Sequence, residues 1–359
     1  MNSRERVLRA INRQKVDRPP VFASFTPQAG ERLCAHLGLP AEKAVDSFLS
    51  TRVSFTNTLL TLGNDCVCIA AGRPDGFTLK RENNIVIDEW GIGWIDTGVY
   101  SEMAIHPLEH AETVNDIISY NFPDPSGTDK FALAREQVQK YASDFAIIAE
   151  QECTILELSW YMTGLEKFLM DLLMERKYIF ELMDRVMEIN LAHIITMVEM
   201  GADIVWTGDD IGNQSGMMLD PDLWRKHFKP RMEYIFSRIK KLNPDIKIAY
   251  HSCGSLIPVI PDLIEIGLDI LNPIQPLAKD MEAQSLKNRF GHELMFFGGV
   301  DIQNILPFGS REEVIQHLRR IKNIFGAEGA YILAPAHNIQ PDTPTENVLA
   351  FFEEALKSI

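Results

Sequence analysis

Short runs of hydrophobic residues alternate with longer amphipathic segments along most of the chain. The short runs lack an alternation of polar and apolar positions, which is typical of strands buried on both faces in a parallel sheet. Eight runs have this character: Val21–Phe25, Cys66–Ala70, Phe145–Ala149, Ile204–Thr207, Ile246–Tyr250, Ile270–Pro273, Leu294–Phe297 and Tyr331–Leu333. Helical periodicity separates most of them, for example in residues 165–200, 222–242, 257–266 and 311–325.

Eight repeats of a strand followed by a helix predict a single (β/α)8 TIM barrel domain over residues 1–359. The alternative is a doubly wound open sheet. Such a sheet usually carries a glycine-rich phosphate-binding turn after its first strand. The sequence after Val21–Phe25 has no such turn, so the barrel is favoured.

Two segments add to this alternation. A helix is predicted at residues 3–14, with Ser3 as its cap and the Pro19-Pro20 pair preventing its continuation. Residues 77–97 contain Asn83-Asn84 between two strand-like runs, which indicates a β-hairpin. We therefore expect residues 73–144 to form an excursion between the second and third barrel strands that covers part of the barrel mouth.

Composition limits the classes of function. The chain is 46% hydrophobic and 24% charged, which is ordinary for a globular protein. Its 35 basic and 50 acidic residues give a net charge of −15, which argues against a nucleic-acid or anionic-membrane surface. The charged N-terminus is followed by no apolar signal core, so we expect a cytoplasmic protein. Five cysteines form no disulfide framework and are predicted to be thiols.

Polar residues follow the ends of most predicted strands. In a barrel these ends meet at one mouth, where chemistry is carried out. The strand ends carry Glu150-Gln151-Glu152-Cys153, Thr207-Gly208-Asp209-Asp210, His251-Ser252-Cys253-Gly254, Gly298-Gly299-Val300-Asp301 and Ala336-His337-Asn338.

His251 and Cys253 are the most specific pair among them. Residues i and i+2 of a strand point to the same face, and an imidazole beside a thiolate suits zinc. Catalytic zinc usually has three protein ligands and an open position. The third ligand would come from another strand end: His337, Cys153, Glu150 or an aspartate of Asp209-Asp210. The alternative interpretation is a buried thiol beside a hydrogen-bonded histidine.

Three further residues are candidates for acid–base or pocket-lining roles. Glu150 ends an apolar strand, so its burial requires compensation, and its pKa could be raised for use as a general acid. Asp210 could orient a substrate or transfer a proton, although aspartates at strand ends also cap helices. Tyr161 could line the pocket or only pack at a helix start.

Several of these motifs together resemble the uroporphyrinogen decarboxylase superfamily, and the resemblance covers nearly the whole chain. They are Arg4-Glu5-Arg6-Val7-Leu8, Asp17-Arg18-Pro19-Pro20-Val21, Gly201-Ala202-Asp203, Gly208-Asp209-Asp210, His251-Ser252-Cys253-Gly254, Gly299-Val300-Asp301 and the segment from His337 to Asn347. The resemblance implies a (β/α)8 barrel, in agreement with the strand count.

The decarboxylase branch of the superfamily differs from this chain at its substrate-binding residues. True uroporphyrinogen decarboxylases carry a Met-Arg-Gln-Ala-Gly-Arg pattern that holds the carboxylates of the tetrapyrrole. The matching segment here is Thr26-Pro27-Gln28-Ala29-Gly30-Glu31, which lacks both arginines. The decarboxylases also have an aspartate after the second strand, where this chain has Ala70-Ala71-Gly72. A tetrapyrrole carboxy-lyase is therefore only the alternative function.

The zinc- and corrinoid-dependent methyltransferase branch is the better match. It includes the methylcobamide:coenzyme M methyltransferases and the methyltransferases of O-demethylase systems, which share the His-x-Cys after the fifth strand. The resemblance implies His251, Cys253 and His337 as zinc ligands, His337 standing where the coenzyme M enzymes have a cysteine. It also implies that a methyl group moves between a small donor or acceptor, such as a methoxylated compound or a thiol, and a corrinoid protein. The chain lacks the corrinoid-binding pattern Asp-x-His-x-x-Gly, so the corrinoid would be carried by a separate protein.

Overall fold

The computed structural model describes residues 1–73, 77–97, 101–326 and 329–358. Its strands are β1 (Cys66–Ile69), β2 (Lys80–Glu82), β3 (Ile85–Ile87), β4 (Gly93–Asp96), β5 (Ser101–Ile105), β6 (Ala146–Glu152), β7 (Ile204–Gly208), β8 (Gly212–Asn213), β9 (Gly216–Met217), β10 (Lys247–His251), β11 (Ile270–Ile274), β12 (Met295–Val300) and β13 (Tyr331–Pro335).

The helices are α1 (Ser3–Ile11), α2 (Pro27–Leu37), α3 (Thr56–Leu62), α4 (Val114–Ile118), α5 (Ala132–Tyr141), α6 (Leu156–Thr163), α7 (Leu165–Leu173), α8 (Lys177–Glu199), α9 (Pro221–His227), α10 (Lys229–Leu242), α11 (Ile260–Glu265), α12 (Ala283–Phe290), α13 (Ile305–Phe308), α14 (Arg311–Phe325) and α15 (Thr345–Ala355). Short 3₁₀ helices cover Thr128–Phe131 and Ile257–Val259. Within the described ranges, no helix combines the length and apolar character needed to cross a membrane.

A curled parallel sheet forms the centre of the fold. Among the described residues it has seven strands in the order β1-β6-β7-β10-β11-β12-β13. All its pairings are parallel, and successive strands are neighbours except where the antiparallel strands intervene in the chain. The strands are almost completely buried because helices cover them on the outside and side chains fill the inside. The prediction of an α/β fold with a parallel sheet is confirmed, and the curl is consistent with a TIM-like barrel.

The segment 21–25, predicted as the first strand, lies between the two edge strands of this sheet without forming a continuous ladder. On one side Val21 bridges Leu333, and the Phe22 N–H donates to the Leu333 carbonyl at 3.0 Å. On the other side the Asp65 N–H donates to the Val21 carbonyl at 2.8 Å. The side chain of Asn64 completes this side by bonding both the N–H and the carbonyl of Ala23. The expectation of a regular strand here is therefore wrong, since side chains replace part of the ladder.

Helix α1 lies at the opposite end of the sheet from the mouth. Its Val7 and Ile11 are buried in the cluster that fills the sheet interior. The Arg4 guanidinium pairs with Asp203, which directly precedes β7. The cap is Asn2 rather than Ser3, because the Asn2 side chain accepts the Glu5 N–H at 2.8 Å. The helix ends at Ile11, before the predicted residue 14, and Arg13 has a left-handed φ of 56°.

The excursion between β1 and β6 carries a second sheet. The described parts of residues 73–144 form an antiparallel sheet in the order β2-β3-β4-β5, while residues 74–76 and 98–100 of that segment lie outside the described residues. Asn83 and Asn84 make the turn between β2 and β3 with φ values of 48° and 67°, which asparagine adopts more readily than most residues. Trp94 of this sheet stacks on Phe48, so the sheet packs beside the loop that precedes α3.

Candidate active site

Strands β6 and β10 bring two sets of polar side chains to the mouth. Strand β6 extends to Glu152, so Glu150 lies inside the strand rather than beyond its end. Glu150 and Glu152 are two residues apart and therefore share a face. Strand β10 ends at His251, and Cys253 follows two residues later. The β6–β7–β10 pairing places these two groups on nearby strands.

His251, Cys253 and His337 form one cluster of potential metal donors. One donor atom from each residue lies within 4.8 Å of the other two. The Cys253 Sγ atom is 3.6 Å from His251 Nε2, and the two imidazole centroids are 6.1 Å apart. His337 follows β13, which confirms that side chains from the fifth and eighth predicted strands converge.

Three of the other candidates for a third ligand are occupied elsewhere. Glu150 accepts hydrogen bonds from Ser50 Oγ at 2.7 Å and from the Thr51 N–H at 3.3 Å. Asp209 accepts the N–H groups of residues 155 and 157. The Cys153 Sγ lies 3.8 Å from the Tyr161 hydroxyl. In the described part of the chain, only the two histidines and Cys253 meet as a group of three donors.

Asn272 of β11 orients the His251 ring. Its Oδ1 lies 2.6 Å from His251 Nδ1, which places the ring proton on Nδ1 and leaves the Nε2 lone pair directed at Cys253. Burial, with a contribution from the positive Arg52, lowers the pKa of His251 to about 4. Burial likewise lowers the pKa of His337 to about 3. Both rings are therefore neutral near pH 7, as metal ligands must be.

An aromatic floor lies beneath the cluster. The Trp206 ring is 5.9 Å from the His251 ring and also packs against Phe22 and Phe297. These three rings belong to the buried interior of the sheet. Such a floor excludes water and lowers the local dielectric constant, which strengthens every polar interaction in the site.

Arg52 supplies a buried positive charge that the sequence did not single out. Its side chain is 2% exposed and pairs with Glu152, while its Nη1 lies 3.4 Å from Glu150 Oε1. The guanidinium also sits over the Trp206 ring, 4.7 Å from the centroid. Burial nevertheless raises the pKa of Glu150 to about 7, because the loss of solvation, together with the nearby Glu152 charge, outweighs the attraction of Arg52.

The two aspartates after β7 have different surroundings. Asp209 is fully buried and caps the start of α6 through the Ile155 and Glu157 N–H groups, so its geometry is that of a helix cap. Burial raises its pKa to about 7. Asp210 is partly exposed, and its Oδ1 accepts the Cys253 N–H at 2.7 Å and lies 3.8 Å from His251 Nε2.

Tyr161 reaches this group through Glu157. The Tyr161 hydroxyl donates to Glu157 Oε1 at 3.0 Å, and Glu157 Oε2 accepts the Asp210 N–H at 3.0 Å. Burial and the neighbouring aspartates raise the pKa of Glu157 well above its usual value. The ring of Tyr161 packs edge-on against Trp94 of the antiparallel sheet. Tyr161 therefore lies at the mouth, one hydrogen-bonded residue away from Asp210.

Two glycines permit the close approach of these loops. A Cβ on Gly208 would lie 2.1 Å from the His251 carbonyl oxygen, and Gly208 has a φ of 149°. A Cβ on Gly254 would lie 2.4 Å from the Asn213 nitrogen, at a φ of 79°. Glycine is required at both positions because any side chain would push the β7 and β10 ends apart.

The donor set fits zinc. Two neutral imidazole nitrogens and one sulfur are ligands that zinc accepts, with a fourth position left for substrate. Tetrahedral zinc separates a bound nitrogen and sulfur by about 3.5 Å, and the Cys253 Sγ to His251 Nε2 distance is 3.6 Å. The Asn272 contact to the second nitrogen of His251 is the kind of support that metal-binding histidines usually have.

Comparison with known families identifies the fold group. Residues 106–357 match the uroporphyrinogen decarboxylase (URO-D) family. The chain belongs to this family. The predicted family membership is therefore confirmed.

The known proteins that are similar to this URO-D family chain have two kinds of activity. The chain is 21% identical over 355 residues to the methylcobamide:CoM methyltransferase MtbA of Methanosarcina acetivorans, covering 98% of this chain and 96% of that protein. It is 22% identical to MtaA of Methanosarcina barkeri and 28% identical to the uroporphyrinogen decarboxylase of Nostoc punctiforme. These two matches span 44% and 41% of those proteins, less than half of their length.

A solved structure shows the same fold. A methyltransferase from Methanosarcina mazei aligns with a TM-score of 0.70 and 20% identity, covering 99% of this chain and 98% of that one. At this identity the likeness establishes the architecture of the URO-D family chain and not its substrate.

Sequence reasoning missed Arg52, Glu157 and Asn272, and gave Glu152 no role. Arg52 lies in a loop whose pattern predicts no element, so nothing in the sequence places it at the mouth. Asn272 could have been found, since it is the polar residue of the apolar run Ile270–Ile274. Glu157 sits on α6, and its place in that helix gives no sign that its carboxylate accepts the Asp210 N–H.

Proposed function

We infer that this chain is a zinc-dependent methyltransferase that moves a methyl group between a small donor or acceptor and a corrinoid carried by another protein. The observation that carries this proposal is the convergence of His251, Cys253 and His337, with donor atoms within 4.8 Å of one another. The methylcobamide:CoM methyltransferases among the relatives give the class of reaction. The fold alone would not, because barrels of this type support many reactions.

The three donors would hold zinc at the mouth, where a partner protein can approach. When bound there, zinc would act as a Lewis acid toward the thiol or ether oxygen of the methyl donor or acceptor. The aromatic floor of Trp206 keeps the site dry on its inner side. Asn272 fixes the His251 ring, so little reorganisation is needed when substrate binds.

Proton movement would fall to Asp210. In demethylation of an ether, the methyl–oxygen bond would break, the methyl group would pass to the reduced corrinoid of the partner protein, which would supply the electron pair of the new bond, and the released oxygen would take a proton. Asp210 is the partly exposed carboxylate beside His251, so it lies between the cluster and solvent. Tyr161 would position Asp210 through Glu157. Glu150 would hold Arg52 in place and, with a pKa near 7, can also accept or release a proton.

Metal analysis tests the site directly. We expect about one zinc per chain in wild type, and its loss in His251→Ala and Cys253→Ser. His110→Ala is the matched control, because the side chain of His110 is 93% exposed. Urea unfolding of each variant checks that it folds. Folded wild-type protein that takes up no zinc from buffered zinc solution would refute the proposal.

Turnover tests the reaction class. Wild type loaded with zinc should demethylate a methoxylated aromatic compound with cob(I)alamin, or methylate a thiol from methylcobalamin, with the cobalamin absorbance spectrum reporting either direction. His251→Ala should lose this activity and His110→Ala should keep it. Conversion of uroporphyrinogen by metal-free protein would instead support the carboxy-lyase alternative.

A further inference from the structure

A second cavity lies on the β1 and β6 side of the mouth, beside the cavity that His251 and His337 line. Its wall includes Ser50, Gly72, Lys130, Glu150, Asn190 and His193. The cavity next to it is lined by Arg52, Trp206, His251 and His337. Arg52 lies 3.4 Å from Glu150, so this ion pair forms the partition between the two cavities.

Lys130 brings a buried cation to the second cavity. It is only 4% exposed. Its Nζ donates to the Asp124 carbonyl at 2.6 Å and lies 3.3 Å from His193 Nε2. Both partners are neutral: one is a backbone carbonyl, and burial with the nearby Lys130 charge lowers the pKa of His193 to about 3. No carboxylate of the described residues lies within 4.0 Å of this ammonium, and a buried charge without a counter-charge is costly.

The carboxylates near the cavity form no ion pair with this ammonium in the described part of the chain, although burial, which lowers the pKa of Lys130, is opposed by the charges of Glu89 and Asp124. Glu150 is already engaged by Arg52 and Ser50. Burial raises the pKa of Glu89, a wall residue whose negative form is favoured by both Arg73 and Lys130. Arg73, next to Gly72, has a buried Nε without a hydrogen-bond partner in the described part of the chain. Lys130 and Arg73 therefore both act on Glu89, and within the described residues neither forms an ion pair with it.

We propose that Lys130, backed by His193, binds the anionic group, a carboxylate or a sulfonate, of the small methyl donor or acceptor. The ammonium has three N–H donors, two of which are directed at the Asp124 carbonyl and at His193, and the third can serve such an oxyanion. The acid group would occupy the second cavity while the reacting oxygen or sulfur reaches the cluster past the Arg52–Glu150 partition. This inference rests on the proposed function, and it selects acid-bearing substrates within that class.

Two substrate pairs that differ in the acid group provide the test. One pair is 4-methoxybenzoate and methoxybenzene with cob(I)alamin; the other is 2-mercaptoethanesulfonate and 2-mercaptoethanol with methylcobalamin. In Lys130→Met we expect the KM for the acid-bearing member to rise at least about tenfold. The neutral member should keep its kcat/KM within about twofold. Lys140→Met, on the exposed face of the nearby α5, is the matched control and should change neither.

The two pairs distinguish a carboxylate subsite from a sulfonate subsite. An equal loss for both members of each pair, or no change in any KM, would overturn the inference, since a purely structural lysine would not discriminate by charge. If zinc-loaded wild type transfers no methyl group at all, the proposed function fails. Calorimetric titration with 4-methoxybenzoate and with 2-mercaptoethanesulfonate then decides the subsite separately. Binding that is weakened at least about tenfold in Lys130→Met supports it, and absence of binding to wild type refutes it.

Discussion

Replacement of Glu150 by glutamine tests how the negative charge of this buried side chain affects the stability of the protein. The glutamine oxygen can take the place of Oε1 and accept from the Thr51 N–H and from Arg52. Its amide nitrogen would then face Ser50 Oγ, which can accept a hydrogen bond. Glu150→Gln therefore removes one negative charge and keeps the contacts.

The expected effect depends on pH with a definite sign. Burial raises the pKa of Glu150 from 4.5 to about 7, and Arg52 opposes the rise. Between these values the folded state binds more protons than the unfolded state, so wild type loses about 1.4 kcal/mol of unfolding free energy per pH unit. The neutral amide avoids this loss. From about pH 5 to about pH 8 the difference between Glu150→Gln and wild type should shift by about 2–3 kcal/mol in favour of the variant.

Urea unfolding at intervals across that pH range, followed by circular dichroism, measures the difference. Glu166→Gln is a suitable control because Glu166 is exposed at the start of α7, and its difference from wild type should stay flat. A flat profile for Glu150→Gln as well would refute the reasoning. It would mean that the attraction of Arg52 outweighs burial and that Glu150 stays ionised throughout.

Three further substitutions test residues that support the site and the sheet around it. Asn272→Leu should weaken zinc binding about 10–100-fold in chelator competition, because His251 Nδ1 loses the nearer of its two oxygen partners and keeps only Glu152 Oε1 at 3.2 Å. Unchanged affinity would contradict this. Gly208→Ala should cost about 3 kcal/mol or more in urea unfolding, because its Cβ would meet the next strand's backbone, and a variant as stable as wild type would show that the loops can separate. Asp65→Ala should cost about 3–5 kcal/mol, since it removes the buried carboxylate that pairs with both Arg6 and Arg18 and takes from Arg18 its ion-pair partner. Asp17→Ala, at a side chain that is 43% exposed, should cost about 1 kcal/mol. Similar losses for both aspartates would contradict the role of burial.

The hydrophobic pattern was enough to locate the seven regular strands of the parallel sheet. Their ends moved by one to three residues, as in β6, which continues through Glu152 although the apolar run ends at Ala149. Hydrophobic periodicity does not predict such extensions, because the polar residues at the end of a strand are stabilised by partners from other segments. The irregular pairing of residues 21–25 with the edge strands depends on Asn64 and Asp65. Nothing in the local sequence shows that side chains replace backbone hydrogen bonds there.

The candidate metal donors could be predicted from the sequence because strand ends of a barrel converge whatever the intervening loops do. The charges that surround them were not. Arg52 and Lys130 come from segments outside the strand–helix alternation, and their burial is fixed by long-range packing. Asp209 could be read either as a catalytic group or as a cap, and only the N–H groups of Ile155 and Glu157 decide between these.

Helix α1 places Val7 and Ile11 against the lower end of the sheet, where they join the packed interior below Trp206. A molecule that reaches the histidines must therefore come and go by the opposite end, past the loop that bears Arg52 and the antiparallel sheet. Those surface segments would control entry. Under the proposed function, they would also set the competition between the small reactant and the corrinoid for the same opening. Changes there could alter the order in which the two reactants bind while leaving the chemistry of the interior as it is.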